Sequence, residues 1–237
     1  EKTRIETELQ FFFSLAQEIQ TPIMLINNPA NEIANSENLP ENIVQKISII
    51  QNSAKKLSNL ADEILDLKKI NTEVNLYPAP IIDLTRQIVN TFKANNSCPD
   101  VDIVFIDDIK ENVVTNLNTD AWSKIMNHLL SNALRFTNNL IEVRAKISNN
   151  RIVITVHDNG IGISQDDIKN VFNAFWHYEK TNRVNNASGF GLGLAVSRLL
   201  LYKMDMTVNI ESEVNKFTTF SISTPICEKR LANETIL

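Results

Sequence analysis

The chain has 237 residues, 43% of them hydrophobic, a formal net charge of -5 at pH 7 and a pI near 5.3. That length can bury one good core or two modest ones, and the mild acidic excess leaves no basic footprint for nucleic acid or an anionic membrane. Cys98 and Cys227 stand far apart with no CxxC and no histidine at metal-ligand spacing, which favours two reduced thiols over a disulfide framework or a zinc site.

No apolar run approaches the length that spans a bilayer, and no charged-then-apolar leader opens the sequence. The first residues already lie within a helical pattern, so the chain is expected to be a piece of a longer protein whose preceding segments are not visible in it. From Ile5 a heptad pattern carries Phe12, Ile19 and Ile26 in one row and Leu9, Ala16, Ile23 and Ala30 in the other, an apolar seam that needs a partner helix. A polar break at Asn35, Ser36, Glu37 and Asn38 ends it, and Pro40 suits the first turn of a second helix. There Ile43, Ile47, Ile50, Ala54, Leu57, Ala61 and Ile64 alternate four and three apart. Such a hairpin cannot cover its own apolar surface. Pairing two of them into a four-helix bundle would, so a homodimer is expected.

Past Asn71 the heptads stop. The pattern predicts helices over 81–94, 122–136 and 192–201, strands over 101–106, 141–147, 152–156, 207–210 and 217–222, and a β-hairpin at Ser148, Asn149 and Asn150. The fold class expected is α+β: a helical hairpin over 1–72, an α/β sandwich with a mixed sheet over 73–226, and a tail or linker over 227–237. Between His177 and Ser188 runs one long polar loop, the kind of segment that often serves binding.

All five glycines fall in two motifs, Asp158-Asn159-Gly160-Ile161-Gly162-Ile163 and Gly189-Phe190-Gly191-Leu192-Gly193-Leu194. Glycine serves where backbone takes positive φ or closes on a ligand, and the second motif leads into a helix whose first amides suit phosphate. A tight turn would account for either motif alone; two of them flanking one polar loop point to a ligand site.

These motifs resemble the two glycine boxes of histidine kinase catalytic domains, members of the ATPase superfamily shared with gyrase. The run from Asn127 to Thr137 resembles the family's asparagine box, and Phe172 with Phe175 its phenylalanine box. The resemblance extends from about Phe11 to Ile226 and implies ATP and Mg²⁺ as cofactors. It implies that Asn132 holds the metal, Arg135 reaches the phosphates and Asp158 accepts from the adenine amine. Phe136, Gly160, Gly162, Ile163, Phe175, Gly189, Gly191, Leu192, Gly193, Leu194 and Thr218 complete the implied nucleotide site. The residue types suit those roles, since a hydrated hard cation takes an amide oxygen and guanidinium matches phosphate.

Two departures stand out. His128 replaces the first asparagine of its box; it is either a polar residue at the pocket rim or, as an imidazole, a base. Lys216 and Phe217 stand where the family often has glycines. In the first helix, Phe13 to Pro22 resembles the phosphoacceptor box of the HisKA class, with Gln17 at the histidine position followed by Glu18, Thr21 and Pro22. All three histidines lie outside the hairpin. Transfer needs an imidazole nitrogen activated by a carboxylate such as Glu18, and a glutamine amide nitrogen has its lone pair delocalised. Gln17 is either a single substitution or a natural degeneration, and Gln20, in place of the usual arginine, favours the second. Thr21 keeps the hydroxyl that in the family orients water for dephosphorylating a response regulator.

The resemblance therefore implies the cytoplasmic core of an inner-membrane-anchored sensor kinase. It would be homodimeric, bind Mg-ATP, be unable to phosphorylate itself, and act with a receiver domain, in a separate protein or in a hybrid of its own. The alternatives are a nucleotide-binding pseudokinase adaptor and, less well matched because His128 stands where gyrase relatives carry glutamate, an ATP hydrolase.

Overall fold

In the computed structural model the chain forms two compact units, Glu1–Glu73 and Val74–Leu237. The structure describes residues 2–36, 39–72, 75–96, 98–109, 111–173, 176 and 191–230, with side chains left aside at 2–15, 17, 56, 59, 60, 62, 63, 65–72, 112 and 228–230.

The first unit is two helices, α1 (Lys2–Ala34) and α2 (Glu41–Thr72). A parallel pair would need a connection of roughly 50 Å, and a six-residue link reaches only about 20 Å, so the helices run antiparallel. Buried positions recur every seven residues: Ala16, Ile23 and Ala30 in α1, and Ile47, Ala54 and Ala61 in α2. Alanine at four of these six lets the axes come close. The second heptad row is only partly covered: Ile64 is buried, but Ile26, Ile33, Ile50 and Leu57 are between 39% and 49% exposed. Helix α1 continues through Pro22 and Pro29, each of which removes a backbone donor from the turn before it.

The second unit is an α+β sandwich. Its main sheet has five strands in the order β2-β4-β5-β7-β6: β2 (Asp102–Asp107), β4 (Leu140–Ser148), β5 (Arg151–Asp158), β7 (Phe217–Pro225) and β6 (Thr207–Glu213). Only the β2/β4 pair is parallel among these neighbours, so the sheet is mixed as expected. Strict alternation buries Ile141, Val143 and Ala145 on β4, Ile152, Ile154 and Val156 on β5, and Phe220 and Ile222 on β7. The helices with buried apolar faces are α3 (Ile81–Asn95), α4 (Thr119–Phe136) and α6 (Gly193–Lys203). A short helix, α5 (Gln165–Ile168), follows the first glycine motif.

Local chemistry sets the boundaries. Helix α4 begins three residues before the expected Trp122 because the Asn118 side chain accepts from the Ala121 amide at 2.9 Å. Its fully buried Trp122 donates an indole N–H to Thr85 Oγ1 at 3.1 Å, joining α4 to α3. Asn149 and Asn150 take φ 50 and 57 in the two-residue turn that closes β4 on β5.

A small antiparallel sheet was not expected from the sequence: β1 (Tyr77–Ala79), β3 (Asn112–Leu117) and β8 (Glu228–Arg230), in the order β1-β3-β8. Residues 228–230 are therefore not tail or linker; they pair with β3, while 231–237 lie outside the described residues. Thr115 Oγ1 fastens this sheet to the end of β7, 2.8 Å from Thr224 Oγ1 and 2.9 Å from the Pro225 carbonyl. Among the described residues no helix is long and apolar enough to cross a membrane.

Candidate functional site

Helix α4 organises the second unit's candidate site, because both glycine motifs pack against it. At its C-terminal end the Phe136 carbonyl accepts from Ile161 N at 3.3 Å. A Cβ on Gly160 would lie 2.0 Å from that carbonyl oxygen. Two turns earlier the His128 ring would lie 3.3 Å from a Cβ on Gly193, the first residue of α6. Asn132 is half-buried between these two contacts and Arg135 is exposed, its guanidinium carbon 5.8 Å from the Phe136 ring centroid. The face that carries the implied metal and phosphate residues is thus bounded by both motifs.

The glycines of the first motif also have a cause within the fold. Gly162 has φ +64, and its Cβ would stand 2.1 Å from the Glu213 carbonyl oxygen. At both glycines the loop closes on the protein's own backbone, at α4 on one side and at the end of β6 on the other. Gly191 in the second motif also takes positive φ, 71.

Asp158 ends β5, directly opposite Thr218 of β7, and both are only 4% exposed. The Asp158 carboxylate accepts from Gly160 N at 3.0 Å. Burial pushes its pKa up to about 6, and the Gly160 amide pulls it partly back. A buried, largely ionised acceptor is costly without a donor, so it suits a ligand that brings an N–H.

Three further side chains hold this arrangement, and the sequence reading gave none of them a role. Asn159 Oδ1 accepts from Leu140 N at 3.0 Å and Asn139 N at 3.2 Å, and its Nδ2 donates to Asn139 Oδ1 at 2.6 Å, which ties the end of β5 to the link after α4. Ser212, on the inward face of β6, donates to the Phe217 carbonyl at 2.7 Å and accepts from Ile163 N at 2.8 Å. Ser197 of α6 donates to the Gly193 carbonyl at 2.8 Å and lies 3.2 Å from His128 Nδ1. Of these, Ser212 had a signal available: it is the lone polar residue in the inward series Val208, Ile210, Ser212.

His128 is a packing residue between α4 and α6. Burial first, then the Lys124 charge, lower its pKa, with a Gly193 hydrogen bond acting the other way, so the imidazole is neutral at pH 7 and a weak base. The turn holding Lys216 forms without glycine because Asn215 takes φ 61 and donates its amide to the Ile161 carbonyl at 2.7 Å. Phe172 meets Phe220 edge-on at 6.4 Å. Leu192 is buried, and Leu194 half-buried in the first turn of α6. Phe175, Gly189 and the 177–188 loop lie outside the described residues.

In the first unit, Gln17 sits within α1 one turn before Thr21, and Glu18 and Thr21 are exposed. Among the described residues there is no group of three or more His, Cys, Asp or Glu that could hold a metal ion. A metal supported by Asn132 would have to arrive with most of its ligands, which fits a hydrated Mg²⁺ already bound to phosphates.

Residues 118–228 match the family described as histidine kinase-, DNA gyrase B-, and HSP90-like ATPase. The second unit is an ATPase domain of that class. Over 227 residues and 93% of its length the chain is 29% identical to the sensor histidine kinase YclK of Bacillus subtilis, and over 92% of its length 28% identical to the sensor protein EvgS of Escherichia coli K12. The full-length structure of ShkA, solved with AMPPNP, covers 94% of the chain with a TM-score of 0.71 at 20% identity. Over most of its length the chain is thus similar to sensor histidine kinases. It spans 47% of YclK and 19% of EvgS.

Proposed function

We propose that the second unit binds Mg-ATP and that the chain is the dimeric core of a two-component sensor kinase, in a form that does not phosphorylate itself. The observation that carries this reading is the position of α4 as the common wall of both glycine motifs, with Asn132 and Arg135 between them. Asp158 takes the adenine amine, Arg135 the phosphates, and Asn132 lends one amide oxygen to Mg²⁺, which would bridge and neutralise the phosphates. Thr218, Ile163 and Leu192 wall the base. The AMPPNP complex of ShkA supports a triphosphate ligand.

The hairpin supplies the dimer and the place for phosphoryl transfer. The exposed row Ile26, Ile33, Ile50 and Leu57 is the surface that a second copy would cover. The partner downstream is a receiver domain, and Thr21, exposed on α1, keeps a hydroxyl for dephosphorylating it. The whole protein is a membrane-anchored sensor whose cytoplasmic part includes this chain.

Radiolabelled ATP tests the reading. The chain as it stands should take no acid-labile label, and Gln17→His should gain it. Label on the unaltered chain would overturn the account of Gln17. The second reading, a pseudokinase adaptor, is favoured by Gln17 together with the packing role of His128; it wins if Gln17→His binds ATP and still takes no label.

A further inference from the structure

Ser212 makes three hydrogen bonds whose proton directions can be deduced from one another. Its hydroxyl carries a single proton. The Phe217 carbonyl, 2.7 Å away, can only accept, so that proton goes there. The Ile163 amide, 2.8 Å away, can only donate, and it occupies one lone pair of Ser212. Thr218 Oγ1 is the remaining neighbour, at 3.1 Å, and with the Ser212 proton already committed, Thr218 must be the donor in that contact. The Thr218 proton therefore points at Ser212, leaving only lone pairs for anything else the oxygen meets. Thr218 stands opposite Asp158 in the β5/β7 register, both residues buried, so their side chains share one face at cross-strand spacing.

We infer that Ser212 is a positioning residue that sets nucleobase selectivity, by turning the Thr218 hydroxyl so that the floor of the base site offers hydrogen-bond acceptors only. This rests on the reading of the site as an adenine-nucleotide pocket. Two acceptors side by side, the Asp158 carboxylate and the Thr218 oxygen, match the two hydrogens of an exocyclic amine. A 6-oxo purine would bring an acceptor to the same place and leave buried groups unpaired, which is how a polar site rejects an isostere strongly. Replacing Ser212 by alanine frees the Thr218 proton, and the hydroxyl can then donate to a 6-oxo group. It also releases the Ile163 amide, but that loss loosens the loop for any nucleotide and does not distinguish bases.

The test compares ATP with inosine triphosphate, which differs in the base by an oxo group at the position of the amine. Dissociation constants are measured for the chain and for Ser212→Ala, Ser212→Thr and Thr218→Val, with thermal melting as the control for folding. The ATP preference of the chain should fall at least about tenfold in Ser212→Ala and Thr218→Val, and survive in Ser212→Thr, which keeps the hydroxyl. Equal weakening of both nucleotides in Ser212→Ala would make Ser212 a loop anchor only and overturn the inference. Should Ser212→Ala fail to fold, Thr218→Val and Ser212→Thr decide it: an unchanged ratio in the first, or a lost preference in the second, overturns it. If the unaltered chain binds neither nucleotide, the reading of the pocket itself fails, and this inference with it.

Discussion

Asp158 is the residue on which stability and binding pull in opposite directions. Its folded-state pKa, about 6, lies above the ordinary 3.8 because burial disfavours the charge. For a carboxyl shifted upward, the stabilising contribution is fully present below the unfolded pKa and is lost as pH rises through the folded one. Lowering the pH of the nucleotide-free protein from 7 to 5 should therefore relieve a strain on the order of 1 kcal/mol from this group. Binding has the reverse sign, because an amine donor favours the carboxylate: ATP affinity should fall as pH drops below about 6. Asp158→Asn keeps the acceptor for Gly160 N and removes the buried charge. It should melt higher at pH 7.5 and bind ATP at least about tenfold more weakly. A variant that melts lower would contradict the burial argument, and one that binds as tightly would contradict the assignment to the base. The sequence made Asp158 visible because two glycines follow it. Asn159 and Ser197 were not legible: their roles lie in hydrogen bonds to Leu140 and Gly193, residues that no local pattern connects to them.

At the scale of elements, the first glycine motif is a clasp between α4 and the β6/β7 turn. Gly160→Ala would push a methyl group into the Phe136 carbonyl, and Gly162→Ala would add a strained φ of +64 to a clash with the Glu213 carbonyl. Each should cost roughly 2–4 kcal/mol in unfolding of the second unit, read by denaturant melts, since backbone rather than a flexible side chain must move. A neutral substitution at either position would mean that the loop does not close on its own chain. The main sheet and the long helices were legible because each buries one face and so carries a clean period, as in the alternation of 152, 154 and 156 on β5. The small sheet was not. Its strands β1 and β8 have three residues each, β1 includes Pro78, and pairing partners far along the chain decide them.

For the whole molecule, the hairpin and the ATPase domain set different demands. In the hairpin, the positions buried inside one copy are rich in alanine, whereas the exposed positions Ile26, Ile33, Ile50 and Leu57 are isoleucine and leucine. That division is what a dimer built on the exposed row needs, and the heptads alone could not say which row faced inward. Ile26→Asp together with Ile50→Asp should shift the chain from dimer to monomer at micromolar concentration by light scattering, and leave the ATPase domain folded. A dimer that persists would place the interface elsewhere. The central claim is that α4 and its two glycine motifs form a pocket for Mg-ATP, and calorimetric titration of the unaltered chain tests it most directly. One saturable ATP site per chain is expected, strengthened by Mg²⁺ and largely lost in Asp158→Asn. No binding with or without Mg²⁺, or binding indifferent to Asp158, would contradict it.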